Sequence, residues 1–253
     1  MKKITRFYKK ITFNLKQKIN VDKIFYNFNS LDEVFNYFGT DKGTKVKNQY
    51  DKNSDLVIGH GFAKFYEKHL SKFKKQNFDL LEIGTWFGAS SAAFTIYFPQ
   101  ANIYGVDKNF KFNYKSKRIK FINCDLTVDK ELKNLLKIIE KKKFKIIIDD
   151  GSHILTHIIK NLKFFLKKVD SKCYYIIEDF NAPKDQIHLN DSNGKEIFIE
   201  EMFTKIKNKE YFESEILSKE DQSYLFENIE EIYTYEGNLK KPLSSNIAFI
   251  KKK

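Results

Sequence analysis

The chain has little that interrupts or cross-links it. Only 3 of its 253 residues are proline and 10 are glycine, and no segment repeats, so collagen-like, low-complexity and repeat architectures are excluded. Two cysteines, Cys124 and Cys173, cannot build the disulfide frame of a small secreted domain. Both sit beside apolar, strand-like runs and read as buried free thiols of a reducing compartment, which points to the cytoplasm. No stretch approaches the roughly 18 uninterrupted apolar residues of a membrane span. The opening MKKITRFYKKITFNLKQ begins like a signal peptide but has no apolar core and no small-residue cleavage site.

Aromatic and basic residues are plentiful. With 42% hydrophobic residues, 25 Phe and 14 Tyr, the chain can bury a large core. A net charge of +13 favours anionic partners, from nucleic acid and anionic lipid to phosphate-bearing small molecules. Lysine-, phenylalanine- and isoleucine-rich usage is equally what an AT-rich genome yields. The basic residues concentrate early: residues 1–23 carry eight of them against the single acid Asp22. Ile4, Phe7, Tyr8, Ile11 and Leu15 fall at helical spacing among them. Residues 1–30 therefore read as a basic amphipathic arm, and residues 31–253 as the main domain. Packing on that domain or on a second copy, as a homo-oligomer, suits the arm better than stable membrane attachment.

From Phe78 onward, short apolar runs alternate with amphipathic helical patterns: Phe78–Ile83, Ile103–Val106, Ile119–Ile122, Phe144–Ile148 and Tyr174–Ile177 as strands, with helices over 90–97, 130–140 and 155–169 between them. Helices are also expected over 31–38, 62–73 and 196–207, and two final strands over 229–235 and 246–250. Such alternation specifies a parallel sheet covered on both faces, a Rossmann-like doubly wound α/β fold.

The run FKIIIDDGSH (144–153) poses the functional question. Ile146–Ile148 can be buried on both faces, but two bare carboxylates cannot, because each buried charge costs several kcal/mol unless paired or metal-bound. Asp149 and Asp150 must therefore lie at the strand exit, on the edge where open α/β sheets bind ligands. A second run, YYIIEDF (174–180), ends the same way in Glu178 and Asp179. The first strand leads into LLEIGTWFGASS, where Glu82 precedes Gly84 and Gly88 at G-x-x-x-G spacing. A pyrophosphate loop wants G-x-G-x-x-G; here Trp86 takes the middle glycine's place, and Glu82 suits a cationic ligand. Asp107 ends the second strand, where an acid can chelate ribose hydroxyls, and Asp125 follows the third, in reach of an adenine amino group.

Together these residues resemble the class I S-adenosylmethionine-dependent methyltransferases, whose sheet has seven strands, mostly parallel, with the last antiparallel. In that strand order the fourth and fifth strands are neighbours, so the two acidic ends meet. The pairing of DDGSH with IED resembles the metal-dependent sugar O-methyltransferases of the macrolide-tailoring, mycinamicin/macrocin type. That resemblance implies Asp150, Glu178 and Asp179 as Mg2+ ligands and His153, one turn into the following helix, as catalytic base. FGTDKGT and HGFAKFYEKHL resemble that family's segments ahead of the first strand, which implies Thr40, Asp41 and Tyr66 in the cofactor pocket beside Glu82, Gly84, Gly88, Asp107 and Asp125. The resemblance covers roughly residues 37–180. It departs in lacking the macrolide enzymes' N-terminal auxiliary domain, in having Asp170-Ser171-Lys172 for the usual Gly-Gly, and in Phe62 for a tyrosine.

The expectation is an enzyme that moves a methyl from S-adenosylmethionine to a sugar hydroxyl with Mg2+. Its small-molecule substrate would be a nucleotide-activated sugar for bacterial surface polysaccharide, whose diphosphate suits the positive charge. Natural-product glycosides and catechol-like diols are the alternatives. RNA is disfavoured, since the fourth strand ends in DDGSH rather than an Asn/Asp-Pro-Pro-aromatic stretch, and no RNA-binding module is present; a non-catalytic scaffold would leave the acids and His153 idle. His60 and His69 are assigned to the entry loop, His157 to packing, and Asp149 to bracing the following helix.

Overall fold

Seven strands form one twisted sheet in the computed structural model, which describes residues 17–47, 56–109, 111–240 and 244–253. They are β1 (Asp79–Ile83), β2 (Asn102–Asp107), β3 (Ile119–Asn123), β4 (Phe144–Asp149), β5 (Val169–Glu178), β6 (Ile229–Glu236) and β7 (Asn246–Lys252). The spatial order is β6-β7-β5-β4-β1-β2-β3, and β7 alone runs antiparallel to both neighbours. The expected seven-stranded, doubly wound sheet is the one observed. Ile146, Ile147 and Ile148 are wholly buried, as are Tyr175, Ile176 and Ile177 on β5, which is why these runs do not alternate in polarity.

Helices cover the faces. Those used below are α1 (Leu31–Phe38), α2 (Ala63–Leu70), α3 (Ala89–Tyr97), α4 (Asp129–Ile138), α5 (Leu155–Phe165), α6 (Ile199–Asn208) and α7 (Lys219–Asn228). Helix α1 starts where Ser30 Oγ accepts from the Glu33 N–H at 3.2 Å and stops at Gly39, in the left-handed region, the usual pair of boundary signals. Helix α7 is absent from the sequence reading. It is held by a capping box between Ser218 and Asp221, with aspartate where glutamate is customary, and its apolar residues do not form one clear stripe.

One strand runs past its expected limit. β5 starts at Val169 rather than Tyr174, pairing Val169 with Phe144 across an irregularity at which Lys172 takes φ +61° and the register shifts between Phe144 and Ile146. That strand entry is where the resemblance leads one to expect glycine; a lysine there costs about 1 kcal/mol. Residues 1–16 of the expected arm lie outside the described residues. Of the remainder, Ile19–Asn20 pairs in parallel with Tyr114–Lys115, and Asp22 accepts from Ser116 Oγ at 2.6 Å and the Lys117 N–H at 2.9 Å. Both cysteines are free and buried. No helix among the described residues is long and apolar enough to cross a membrane.

His69 is not in the entry loop. It lies buried between α2 and the β6–β7 pair, with Nε2 2.9 Å from the Tyr235 hydroxyl and its ring stacked on Phe249. Burial, with Lys68 and Lys72 nearby, pushes its pKa down to about 4. The folded state therefore holds the neutral ring while the unfolded chain protonates near pH 6.5. Stability from this residue is complete above pH 6.5 and is lost as pH falls toward 4. His69→Gln should flatten that acid-side decline; equal slopes of unfolding free energy against pH in variant and wild type would contradict the assignment.

Candidate functional site

Strand register assembles the site. Ile83 pairs with Asp149, and Asp149 with Ile177, so Gly84, Asp150 and Glu178 follow at one level of the sheet's C-terminal edge. On the other side Val106 pairs with Ile83, and Asp107 with Asn123. The chain order reverses between β1 and β4, which opens a crevice above those ends. A cavity of about 1190 Å³ lies there.

Its donor half is built on β1 and β2. Gly84 has φ +83°, and a Cβ there would come within 1.9 Å of the Asp150 carbonyl oxygen; only glycine lets the β1 turn lie against the β4 exit. Gly88 (φ +86°) caps α3, and its Cβ would strike the Phe121 ring. It serves packing and does not line the cavity. Trp86 has φ +48°, and its N–H donates to Asp107 Oδ2 at 2.8 Å while the Asn109 N–H donates to Oδ1 at 2.7 Å. Both donors fix the carboxylate and leave each oxygen a lone pair for a hydroxyl. Burial pushes the Asp107 carboxyl up, and those two N–H groups hold it down. Asp125 lines the cavity one strand further on, with Oδ1 accepting from Thr127 Oγ1 at 2.7 Å.

Glu82 stands elsewhere. It is fully buried beneath the turn, with Oε2 accepting from Ser91 Oγ and Oε1 without a hydrogen-bond partner. Thr40 and Asp41 do line the cavity, whereas Tyr66 lies below it and donates its hydroxyl to Glu178 Oε1.

The acidic half sits at the β4 and β5 exits. Asp150, His153 and Asp179 offer ligand atoms that all lie within 4.8 Å of one another. His153 Nε2 is 3.6 Å from Asp150 Oδ1, too long for a hydrogen bond. It does not lie inside a helix, as expected: α5 begins at Leu155, and His153 occupies the preceding loop at φ +55°. Asp179 has φ +49°. Two non-glycine residues in the left-handed region, side by side, mark strain of about 1–3 kcal/mol each, of the kind stored at functional sites. Asp179 Oδ1 is buried without a hydrogen-bond partner. Burial, then Asp150, Glu178 and Asp41, hold the Asp179 carboxyl well above its ordinary range. A buried acid facing two other carboxylates is a good ligand for a hard divalent cation, so the residues present fit one.

One cationic neighbour, Lys42, escaped the sequence reading, which assigns His60 only to the entry loop. Lys42, wholly buried, places Nζ on Asp150 Oδ2 and 2.8 Å from Glu178 Oε2. Burial alone would push its ammonium down, but Asp150, Glu178 and Asp41 hold it well above its usual value. Glu178 is thus engaged by Lys42 and Tyr66, and the Asp150–His153–Asp179 group does not include it. His60 Nδ1 lies 3.4 Å from Asp179 Oδ2, and burial lowers its pKa. The N–H groups of residues 59–62 all bond to carbonyls of residues 41–44, at 2.7–3.0 Å, so one backbone ladder delivers both side chains. Both lie in the TDK and HGF segments singled out for the cofactor pocket, which was the available signal.

The remaining expectations resolve simply. Asp149 braces α5, accepting from Asn161 Nδ2 at 3.1 Å and the Tyr175 hydroxyl at 3.1 Å; burial raises it to about 7. His157 Nδ1 pairs with Ser152 Oγ at 2.7 Å. His188 is exposed.

The sheet order and the crevice are those of the class I methyltransferase fold. Among solved structures, the MycE methyltransferase from the mycinamycin biosynthetic pathway, in complex with Mg, SAH and mycinamycin VI, superposes with a TM-score of 0.64 over 88% of this chain and 54% of that one, at 22% identity. By sequence the chain is similar to the mycinamicin VI 2''-O-methyltransferase of Micromonospora griseorubida, 31% identical over 127 residues covering 47% of this chain and 31% of the relative. It is also 30% identical over 129 residues to the 8-demethyl-8-(2-methoxy-alpha-L-rhamnosyl)-tetracenomycin-C 3'-O-methyltransferase of Streptomyces olivaceus, 48% of this chain and 33% of that one. The matched stretch thus spans about a third of these curated relatives. No family model matches.

Proposed function

We propose that this chain is an S-adenosylmethionine- and Mg2+-dependent O-methyltransferase acting on a sugar hydroxyl of a glycoside. The observation that carries the reading is the Asp150–His153–Asp179 cluster, two of whose members, Asp150 and His153, line the cavity that Asp107 and Asp125 also line. S-adenosylmethionine bound there would supply an electrophilic methyl group. A divalent cation held by Asp150 and Asp179 would lower the pKa of a coordinated hydroxyl. His153 then accepts the hydroxyl proton as the oxygen attacks. Asp107 holds the donor's ribose hydroxyls, and Asp125 faces its adenine. Two buried free thiols fit a reducing cytoplasm.

The relatives named above carry glycosides in their names, and a nucleotide sugar has no counterpart there. Among the cavity's lining residues outside the donor half, Ile154, Phe164, Ile216 and Leu239 are apolar, which suits an aglycone. A nucleotide-activated sugar is the second reading, favoured by Lys108 and Lys160, both exposed at the cavity wall, and by the +13 charge. A mass-spectrometric screen separates the two. Rhamnosyl glycosides with apolar aglycones should gain one methyl group in the presence of Mg2+. Methylation of nucleotide sugars alone would transfer the claim to the second reading, and methylation of RNA but no sugar would remove both.

The donor site has its own test. Asp107→Ala should weaken S-adenosylmethionine binding by roughly 1.5–3 kcal/mol, the scale of hydrogen bonds to a charged group. Calorimetry on the folded variant showing unchanged affinity would take Asp107 out of the site.

A further inference from the structure

Trp86 is the chain's one tryptophan, and it occupies the position in the donor turn least suited to one. Its φ of +48° lies in the left-handed region, where a bulky side chain is disfavoured and glycine is not. Hydrogen bonds on either side fix that backbone. The Gly84 N–H donates to the Val106 carbonyl at 2.8 Å, the Gly88 N–H to the Thr85 carbonyl at 2.7 Å, and the Asn113 N–H to the Phe87 carbonyl at 2.9 Å. The Trp86 N–H itself donates to Asp107 Oδ2 at 2.8 Å. A glycine at position 86 would make the same bond with less strain, so the backbone does not explain the indole. Core packing does not explain it either. The residue is 44% exposed, and its ring meets Phe87 edge-on at 5.0 Å, while Thr85 and Gly88 beside it are buried. What Trp86 does line is the cavity, next to Asp107, Lys108 and Asn109.

Strain of this kind persists only where the surrounding structure enforces it, and it gathers at ligand clamps. We infer that the Trp86 indole is a donor-binding group, an apolar cover that packs over the ribose end of the methyl donor. This rests on the donor reading proposed above and adds to it a side chain that the glycine turn does not require. One bond ties the two residues together: the N–H that orients the Asp107 carboxylate belongs to the residue that carries the ring. The acid and the cover are therefore delivered to the same end of the cavity. Asp107 is only 8% exposed, so a ligand held by it sits close to the rim where the exposed indole stands. Covering the ligand there removes apolar surface of both partners from water. The exposure of the ring without ligand, and its strained backbone, then have one cause.

The test uses S-adenosylhomocysteine, which carries the same ribose, with metal and acceptor absent. Excited beyond the tyrosine band, the protein's emission reports Trp86 alone. Saturating ligand should shift that emission to shorter wavelength and protect it from acrylamide quenching. By calorimetry, Trp86→Gly should bind the ligand about tenfold more weakly, the scale of returning roughly 50–60 Å² of apolar surface to water. Trp86→Phe, which keeps a ring, should stay within about threefold of wild type. Circular dichroism should show Trp86→Gly folded, since glycine suits the left-handed backbone. Affinity within about twofold of wild type in folded Trp86→Gly would overturn the inference, and so would that result accompanied by a raised KM for a glycoside, which would give the ring to the acceptor. If the variant fails to fold, the wild-type emission decides: unchanged wavelength and quenching at saturating ligand would overturn the inference equally. Absence of any binding by wild type would remove the donor reading itself, together with this inference.

Discussion

Asp179→Asn should lower methyl transfer by roughly two orders of magnitude or more and abolish Mg2+ binding, while S-adenosylmethionine still binds. The carboxylate has a buried oxygen without a partner and a pKa held well above its range by burial and three neighbouring acids, Asp150, Glu178 and Asp41. An amide of the same shape relieves the repulsion that a cation would otherwise relieve, and it is a far weaker ligand for a hard ion. The variant should therefore be at least as stable as wild type. That combination of retained stability and lost metal distinguishes a ligand from a structural acid. Wild-type Mg2+ affinity in Asp179→Asn would return the residue to a structural role.

His153→Ala should cut turnover by roughly 10²–10⁴-fold, the usual share of a positioned base, with donor and acceptor affinities little changed. The loss lies in the transition state, so kcat and kcat/KM should fall together. His153 is half-buried at the cavity wall; alanine keeps the left-handed backbone at φ +55° and a similar cost, so folding should change little. A variant keeping more than about half of wild-type turnover would show that metal and solvent suffice to take the proton.

Much of this arrangement was legible in the sequence because it is local. The buried Ile146–Ile148 run could not hold Asp149 and Asp150, so the acids had to sit at a strand exit; register places Asp150 beside Gly84. Asp107 and Asp125 followed from strand ends alone. What was hidden depends on contacts across the chain. Three carboxylates demanded a cation, but Lys42 stands 108 residues from Asp150 and meets it only once residues 41–44 and 59–62 are laddered together. Glu82 precedes the glycine turn, yet the side-chain alternation of a strand directs it beneath the turn, to Ser91. His153 was expected in α5 because spacing from Asp150 suggests one helical turn; its left-handed backbone holds it ahead of the helix. Tyr66 and Gly88 belong to conspicuous motifs but serve Glu178 and Phe121.

The most direct measurement supplies isotopically labelled methyl donor and a rhamnosyl glycoside to protein stripped of metal by exhaustive chelation, then restores Mg2+. The account predicts no labelled product until Mg2+ returns, and thereafter a labelled methyl ether on a sugar oxygen. Full transfer by the stripped protein, or label appearing only on nitrogen, would contradict it.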